Sequence, residues 1–245
     1  MLAFAQSALD WLETPLSGAA RADLPPWTYW HARLMVFAWA FVMPIGAFAA
    51  RFFKVTPAQD WPRVLDRKGW WRAHFWLQNL GIAAMTLGLA LALGQGPMVS
   101  GAALAHHLFG WTLVVLGWLQ FASGWLRGDK GGPTAPKLRG DHYDMTPRRV
   151  AFEYVHKSVG WAALALVMPT IALGLALADA PRWMALVLGL WAAALIAAFA
   201  RWQLAGRCVD TYQAIWGPDP AHPGNRRRPI GWGVALPRPR GRDGI

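Results

Sequence analysis

The chain has 245 residues, 55% hydrophobic and only 15% charged, with 17 tryptophans, a single cysteine (Cys208) and a net charge of +11. Soluble domains carry about 25% charged residues, so this composition excludes a disordered chain, and the lone cysteine excludes a disulfide scaffold. Basic charge on so apolar a chain points to a membrane protein with one basic face rather than to a nucleic-acid binder.

In chain order, residues 1–24 do not span, because Asp10, Glu13 and Pro15 interrupt them. Leu2, Ala5, Leu9, Leu12 and Leu16 recur at helical spacing. That pattern predicts a short amphipathic helix on the membrane surface. A signal peptide is the competing reading, opposed by the missing basic n-region and by acids within the apolar stretch. A span needs about 20 mostly apolar residues. Five segments qualify, at 30–53, 71–93, 102–126, 151–178 and 183–204. Pro44 and Pro169 fall inside the first and fourth and predict kinks, which neighbouring helices in membranes tolerate. After Cys208 the sequence is rich in Gly, Pro and Arg. It predicts an extended tail whose charge suits anionic headgroups. The fold class expected is all-α, an integral membrane bundle of five helices. Its divisions are 1–25 (amphipathic segment), 26–205 (transmembrane domain) and 206–245 (basic tail).

Charge placement orients the bundle. The first interhelical loop holds Arg51, Lys54, Arg63, Arg67, Lys68 and Arg72, and the third holds Arg127, Lys130, Lys137, Arg139, Arg148 and Arg149. The second loop holds no basic residue and the fourth only Arg182. The tail adds Arg201, Arg207, Arg226, Arg227, Arg228, Arg238, Arg240 and Arg242. With Lys157, 21 of the 24 basic residues fall on one side, Arg21, Arg33 and Arg182 being the exceptions. The positive-inside rule then predicts an outer N-terminus and a cytoplasmic C-terminus, in a bacterial inner membrane.

Seven histidines are present, of which His142 and His222 lie between or beyond the spans. The others are His31, His74, His106, His107 and His156, at the N-terminal ends of spans one to four. Ionisable groups in spans are costly and usually functional. Consecutive spans alternate in direction, so the histidines sort into two pairs, one per leaflet: His31 with His106 or His107, and His74 with His156. Facing imidazoles across a bundle suit bis-histidine haem. Zinc wants three or four protein ligands, and the Glu153-x-x-His156 motif of di-iron sites has no second copy. His106 and His156 each open an H-x-x-x-G motif, with Gly110 and Gly160, where a missing side chain lets a macrocycle approach; the repeat favours His106 over His107. Haem propionates need cations. Arg33 lies near the outer pair, and Arg72, Arg148, Arg149 and Lys157 near the inner pair, each alternatively a snorkelling anchor.

The stretches HARLMVFAWAFVMPIGAFAARFFK, HFWLQNLG, HHLFGWTLVVLGWLQFASG and HKSVGWAAL together resemble the cytochrome b561 family. The likeness is to the branch shared by ascorbate-dependent reductases and DOMON-attached membrane domains, and it covers about residues 28–178. The resemblance implies two haem b groups on four helices, with His31, His74, His106 and His156 as axial ligands. Family members that use ascorbate hold it with basic residues near the inner haem, a side that Arg51, Lys54, Lys68 and Arg72 occupy here; the candidate donors are ascorbate or quinol. Familiar six-helix members carry a helix before the first histidine helix, and residues 1–24 do not supply one. The expected function is transmembrane transfer of single electrons, with the lipid bilayer and a small-molecule donor as partners. Two alternatives stay open: a haem-bearing or accessory subunit of a larger membrane complex, and a non-redox helical transporter. Trp27, Trp30, Trp70, Trp71, Trp183 and Trp202 fit interfacial belts. Trp39, Trp118 and Trp191 fall mid-span, with packing round a cofactor as their expected role.

Overall fold

The computed structural model describes residues 2–19, 23–95, 101–132 and 139–236, with side chains from residue 6 onward. Among them the chain is all-helical, without a named strand. Helix α1 is Leu2–Glu13. Five helices follow that are long and apolar enough to cross a membrane: α2 (Pro26–Phe52), α3 (Gly69–Ala92), α4 (Gly101–Trp125), α6 (Pro147–Leu177) and α7 (Arg182–Leu204), with mean hydropathies of 1.4 to 2.2. Two short helices, α5 (Asp141–Asp144) and α8 (Thr211–Trp216), lie at one end. The protein is an integral membrane protein.

The ends of the spans follow local chemistry. Helices α2 and α6 each begin four residues earlier than hydropathy alone predicts. Pro26 and Pro147 open them, where a missing N–H costs nothing, and Thr146 accepts a hydrogen bond from the Arg149 N–H at 3.3 Å. Pro44 does not produce a simple kink. Phe37–Val42 instead winds as a π-helix before α-geometry resumes, a common adjustment where the α-ladder is interrupted.

Helices α2 and α3 form one close hairpin pair, and α4 and α6 another. The two hairpins meet through a buried core of Ala38, Trp39, Met43, Ile82, Met85, Leu113, Val114, Ala163 and Val167. Glycines permit the close approaches. A Cβ at Gly81 would stand 2.6 Å from the Met43 side chain, and one at Gly117 3.0 Å from Met85 Sδ. Lipid gives helices no hydrophobic reason to associate, so such small-residue contacts carry the packing. Helix α7 stands outside the four, and none of its most apolar stretch is buried within the chain. It is tied to α2 by Trp191, whose Nε1 donates to the Ala40 carbonyl at 2.7 Å. That carbonyl needs the bond: Pro44, four residues on, has no N–H to offer. At the opposite end from the basic loops, α1 packs on α7, with the Arg182 guanidinium 4.9 Å from the Trp11 ring and Ser17 bonded to Asp179 at 2.6 Å.

The expectation of an extended tail is overturned. Residues 208–216 are buried, and the segment 206–236 folds back as a cap over the basic end of the bundle. Its hydrogen bonds reach several separate parts of the chain. Lys54 Nζ donates to the Val209 carbonyl, Trp61 Nε1 to Gln213, Lys157 Nζ to Ile230, Arg51 Nη2 to Trp232 and Tyr212 Oη to Tyr143. Composition suggested solvation, but the segment's apolar residues Tyr212, Ile215, Trp216 and Ile230 find a second core with Met145. Lys137, Arg21, Arg238, Arg240 and Arg242 lie outside the described residues.

Candidate functional site

Each of the four histidines lies on the inward stripe of its helix. From His31 the core residues Ala38 and Trp39 follow at seven and eight positions, and from His74 Ile82 and Met85 follow at eight and eleven. From His106 come Leu113 and Val114, and from His156 Ala163 and Val167. These offsets are those of one helix face. The histidines therefore cap the apolar core at both ends.

The chain brings them together in two pairs. The His31 and His106 rings are 6.4 Å apart between centroids, with planes crossed at 77°. The His74 and His156 rings are 6.3 Å apart, crossed at 79°. A metal bridging two imidazoles, with bonds of about 2 Å and ring nitrogens about 1.1 Å from the ring centre, needs centroids roughly 6.2 Å apart. His107, the alternative to His106, is exposed and stacks edge-on against Trp111 instead.

Second partners fix the tautomers. His31 Nδ1 meets the Gly88 carbonyl at 2.9 Å, His74 Nδ1 the Gly46 carbonyl at 3.1 Å and His106 Nδ1 the Thr170 carbonyl at 3.0 Å. A carbonyl oxygen only accepts, so Nδ1 carries the proton and Nε2 keeps its lone pair. His156 Nδ1 meets Ser123 Oγ at 3.0 Å. That hydroxyl donates its own proton to the Gln120 carbonyl at 2.9 Å, so it too accepts from the ring. All four rings thus leave Nε2 free for a ligand role, in the arrangement by which metal-binding imidazoles are usually oriented. The partners place the pairs in two layers. His31 lies level with Gly88, fourteen residues along α3 from His74, which is about 21 Å at 1.5 Å per residue. The α2–α3 hairpin is internally reciprocal, since His74 in turn bonds Gly46 of α2.

The glycine cue in the sequence is only partly used. A Cβ at Gly110 would meet open space and one at Gly160 only the Gln120 amide at 3.6 Å. The glycine that touches an imidazole is Gly174, where a Cβ would stand 3.0 Å from His106 Cε1.

The candidate cations separate. Arg33 stacks over Trp30 at 5.2 Å, while Arg72 and Lys68 are exposed. Arg51 is enclosed by the rings of Phe52, Trp161, Phe199 and Trp232 and bonds Gln203 Oε1 at 2.8 Å. Lys54 is buried under the cap, and burial pushes its ammonium down to about 8. Arg51 and Lys54 therefore hold the cap. Glu153 bonds Arg149 at 2.9 Å and Lys157 at 2.5 Å, one turn before His156. It is consumed in an ion cluster rather than offered to a metal. Among the described residues no group of three or more His, Cys, Asp and Glu stands together as a metal site. Sequence reasoning missed Ser123 and the carbonyls of Gly46, Gly88 and Thr170. Their signal is register, since Gly88 and Thr170 lie fourteen residues and Gly46 fifteen beyond a histidine of their own helix.

Comparison with known proteins finds one distant likeness. The chain is 31% identical over 150 residues, 60% of its length, to a cytochrome b561, DM13 and DOMON domain-containing protein of Arabidopsis thaliana. The matched stretch spans 14% of that much longer protein. No family model matches, and no solved structure matches. The chain is a helical transmembrane protein distantly related, over that stretch, to a plant protein that includes a cytochrome b561 domain.

Proposed function

We propose that the chain is a di-haem b-type membrane cytochrome that carries single electrons across the bilayer. The observation carrying this reading is the pair of crossed imidazole couples, each with Nδ1 committed and Nε2 free, about 21 Å apart along the bundle. Two protein ligands per site are too few for a bare metal ion but suit haem, whose macrocycle supplies the other four nitrogens. Haem iron would supply reversible one-electron chemistry. His31 and His106 would hold one group and His74 and His156 the other, between the two hairpins. The apolar core between the layers excludes water and keeps the local polarity low, a lever on potential. The likeness to a plant protein with a cytochrome b561 domain supports the same reading.

The donor is a reductant of the ascorbate or quinol class, and of the four inner candidates Arg51, Lys54, Lys68 and Arg72 it is Lys68 and Arg72 that are exposed to an anionic one. The basic loops share one end of the bundle with the cap, so by the positive-inside rule that end faces the cytoplasm and the N-terminus faces outward. A bacterial inner membrane is the expected location. The test is electron transfer in proteoliposomes loaded with ferricyanide, with ascorbate or a short-chain quinol added outside. Wild-type protein should show a reduced b-type α band and bleach the internal acceptor, and His74→Ala should stop the bleaching. Equal bleaching by His74→Ala, or no α band in the wild type, would sink the reading.

A further inference from the structure

The basic end of the bundle carries a cleft that this reading leaves unused. Its volume is about 770 Å³, and it lies where the first and third interhelical loops meet the cap. Small-molecule sites fall in this size range. Among the described residues the charged lining is Lys130, Arg139 and Arg226 against one carboxylate, Asp66.

The polar groups there are mostly donors, and several are fixed in place. Lys130 is anchored by Asp66 and lies 5.1 Å from the centre of the Trp216 ring. Arg139 is anchored at 2.5 Å by Asp144. Each cation keeps further N–H groups, Arg139 after giving both Nε and Nη2 to Asp144. The Arg226 side chain has no hydrogen bond or ion pair among the described residues. Trp216 is only 8% exposed and gives the cleft an aromatic wall. Gly132, at φ +89°, runs so close to the Trp216 ring that any side chain would collide with it, so this wall is set by backbone. Tyr143 and His222 complete the lining as a bonded pair, Oη to Nδ1 at 3.1 Å.

We propose that this cleft binds a phosphate monoester through its terminal oxyanion. A phosphate presents three terminal oxygens and close to two charges, which can engage Lys130, Arg139 and Arg226 together. A carboxylate has two oxygens and one charge, and would leave most of these donors unspent. The inference does not depend on haem. The ligand has two possible sources, a soluble phosphate monoester or the monoester headgroup of phosphatidic acid.

The test uses the full chain, purified without phosphate-bearing detergent, titrated calorimetrically with glycerol 3-phosphate and with acetate as control. Saturable one-to-one binding of glycerol 3-phosphate is expected, with no binding of acetate. Arg226→Ala should weaken it about tenfold or more, the worth of one charge-assisted bond. Arg63→Ala, removing an arginine whose side chain is 84% exposed outside the cleft, should leave it unchanged. Arg226 is itself exposed, so its removal leaves the fold intact. Repeating the titration in phosphatidylcholine nanodiscs with and without phosphatidic acid separates the sources. Loss of soluble binding only with phosphatidic acid assigns a headgroup, and persistence assigns a soluble ester. The proposal is overturned if no phosphate compound binds in either setting, if acetate binds equally well, or if Arg226→Ala and Arg63→Ala weaken binding alike.

Discussion

At the scale of single residues, the partners of Nδ1 decide what each imidazole can do at Nε2. Three of the four are backbone carbonyls, which no substitution removes directly. The fourth is Ser123, and it is the accessible test. Ser123→Ala should loosen His156 and speed loss of one haem to a scavenging apoprotein by about tenfold, the usual scale for a partner behind a metal ligand. Unchanged haem retention would show that the hydroxyl does not orient the ring. Trp191 is the other telling residue. Mid-span tryptophan was expected to pack round a cofactor, yet its indole answers the carbonyl that Pro44 leaves without a donor. Trp191→Phe keeps the ring stacked on Phe41 but removes the N–H. It should cost about 1–2 kcal/mol in detergent unfolding, and no change would show that the π-helical turn satisfies itself. Trp39 is buried in the core, while Trp118 is 41% exposed and its ring meets Phe121.

At the scale of elements, spans and histidine stripe were legible because both are periodic, and periodicity survives without knowledge of neighbours. The missed first turns of α2 and α6 were also written locally, in Pro26 and in Thr146-Pro147, but as capping chemistry rather than hydropathy. The cap was not legible. Gly, Pro and Arg read as an extended segment, and its burial depends on Lys54, Trp61, Tyr143 and Lys157 from distant parts of the chain. Its acid response follows from His142, which is 3% exposed between Tyr212 and Trp216, with Glu153 at 3.9 Å. Burial first, and then the Arg149 charge, push this imidazole down from its usual 6.5 to about 3. The unfolded cap therefore takes the proton at higher pH than the folded one. Cap stability should be complete above about pH 6.5 and decline as pH falls toward 3. Proteolysis in the Arg226–Arg228 run should accelerate over that window, and His142→Phe should flatten the profile; an identical acid response in the variant would contradict the assignment.

At the scale of the molecule, the five described spans gather the first and third interhelical loops and the C-terminal segment at one end, and with them all the described basic residues but Arg33 and Arg182. Alternating helix directions then place the N-terminal histidines of α2 and α4 in one layer and those of α3 and α6 in the other. Topology thus converts a repeated position in the sequence into two facing couples, without any one helix specifying its partner. The central claim is that each couple holds one haem. It is tested by haem content per chain, measured as the pyridine complex, for the wild type and for alanine at His31, His74, His106 and His156 in turn. The account predicts two haems in the wild type and about one in every variant, with His107→Ala keeping both. Two haems retained in any of the four variants, or none in the wild type, would contradict it.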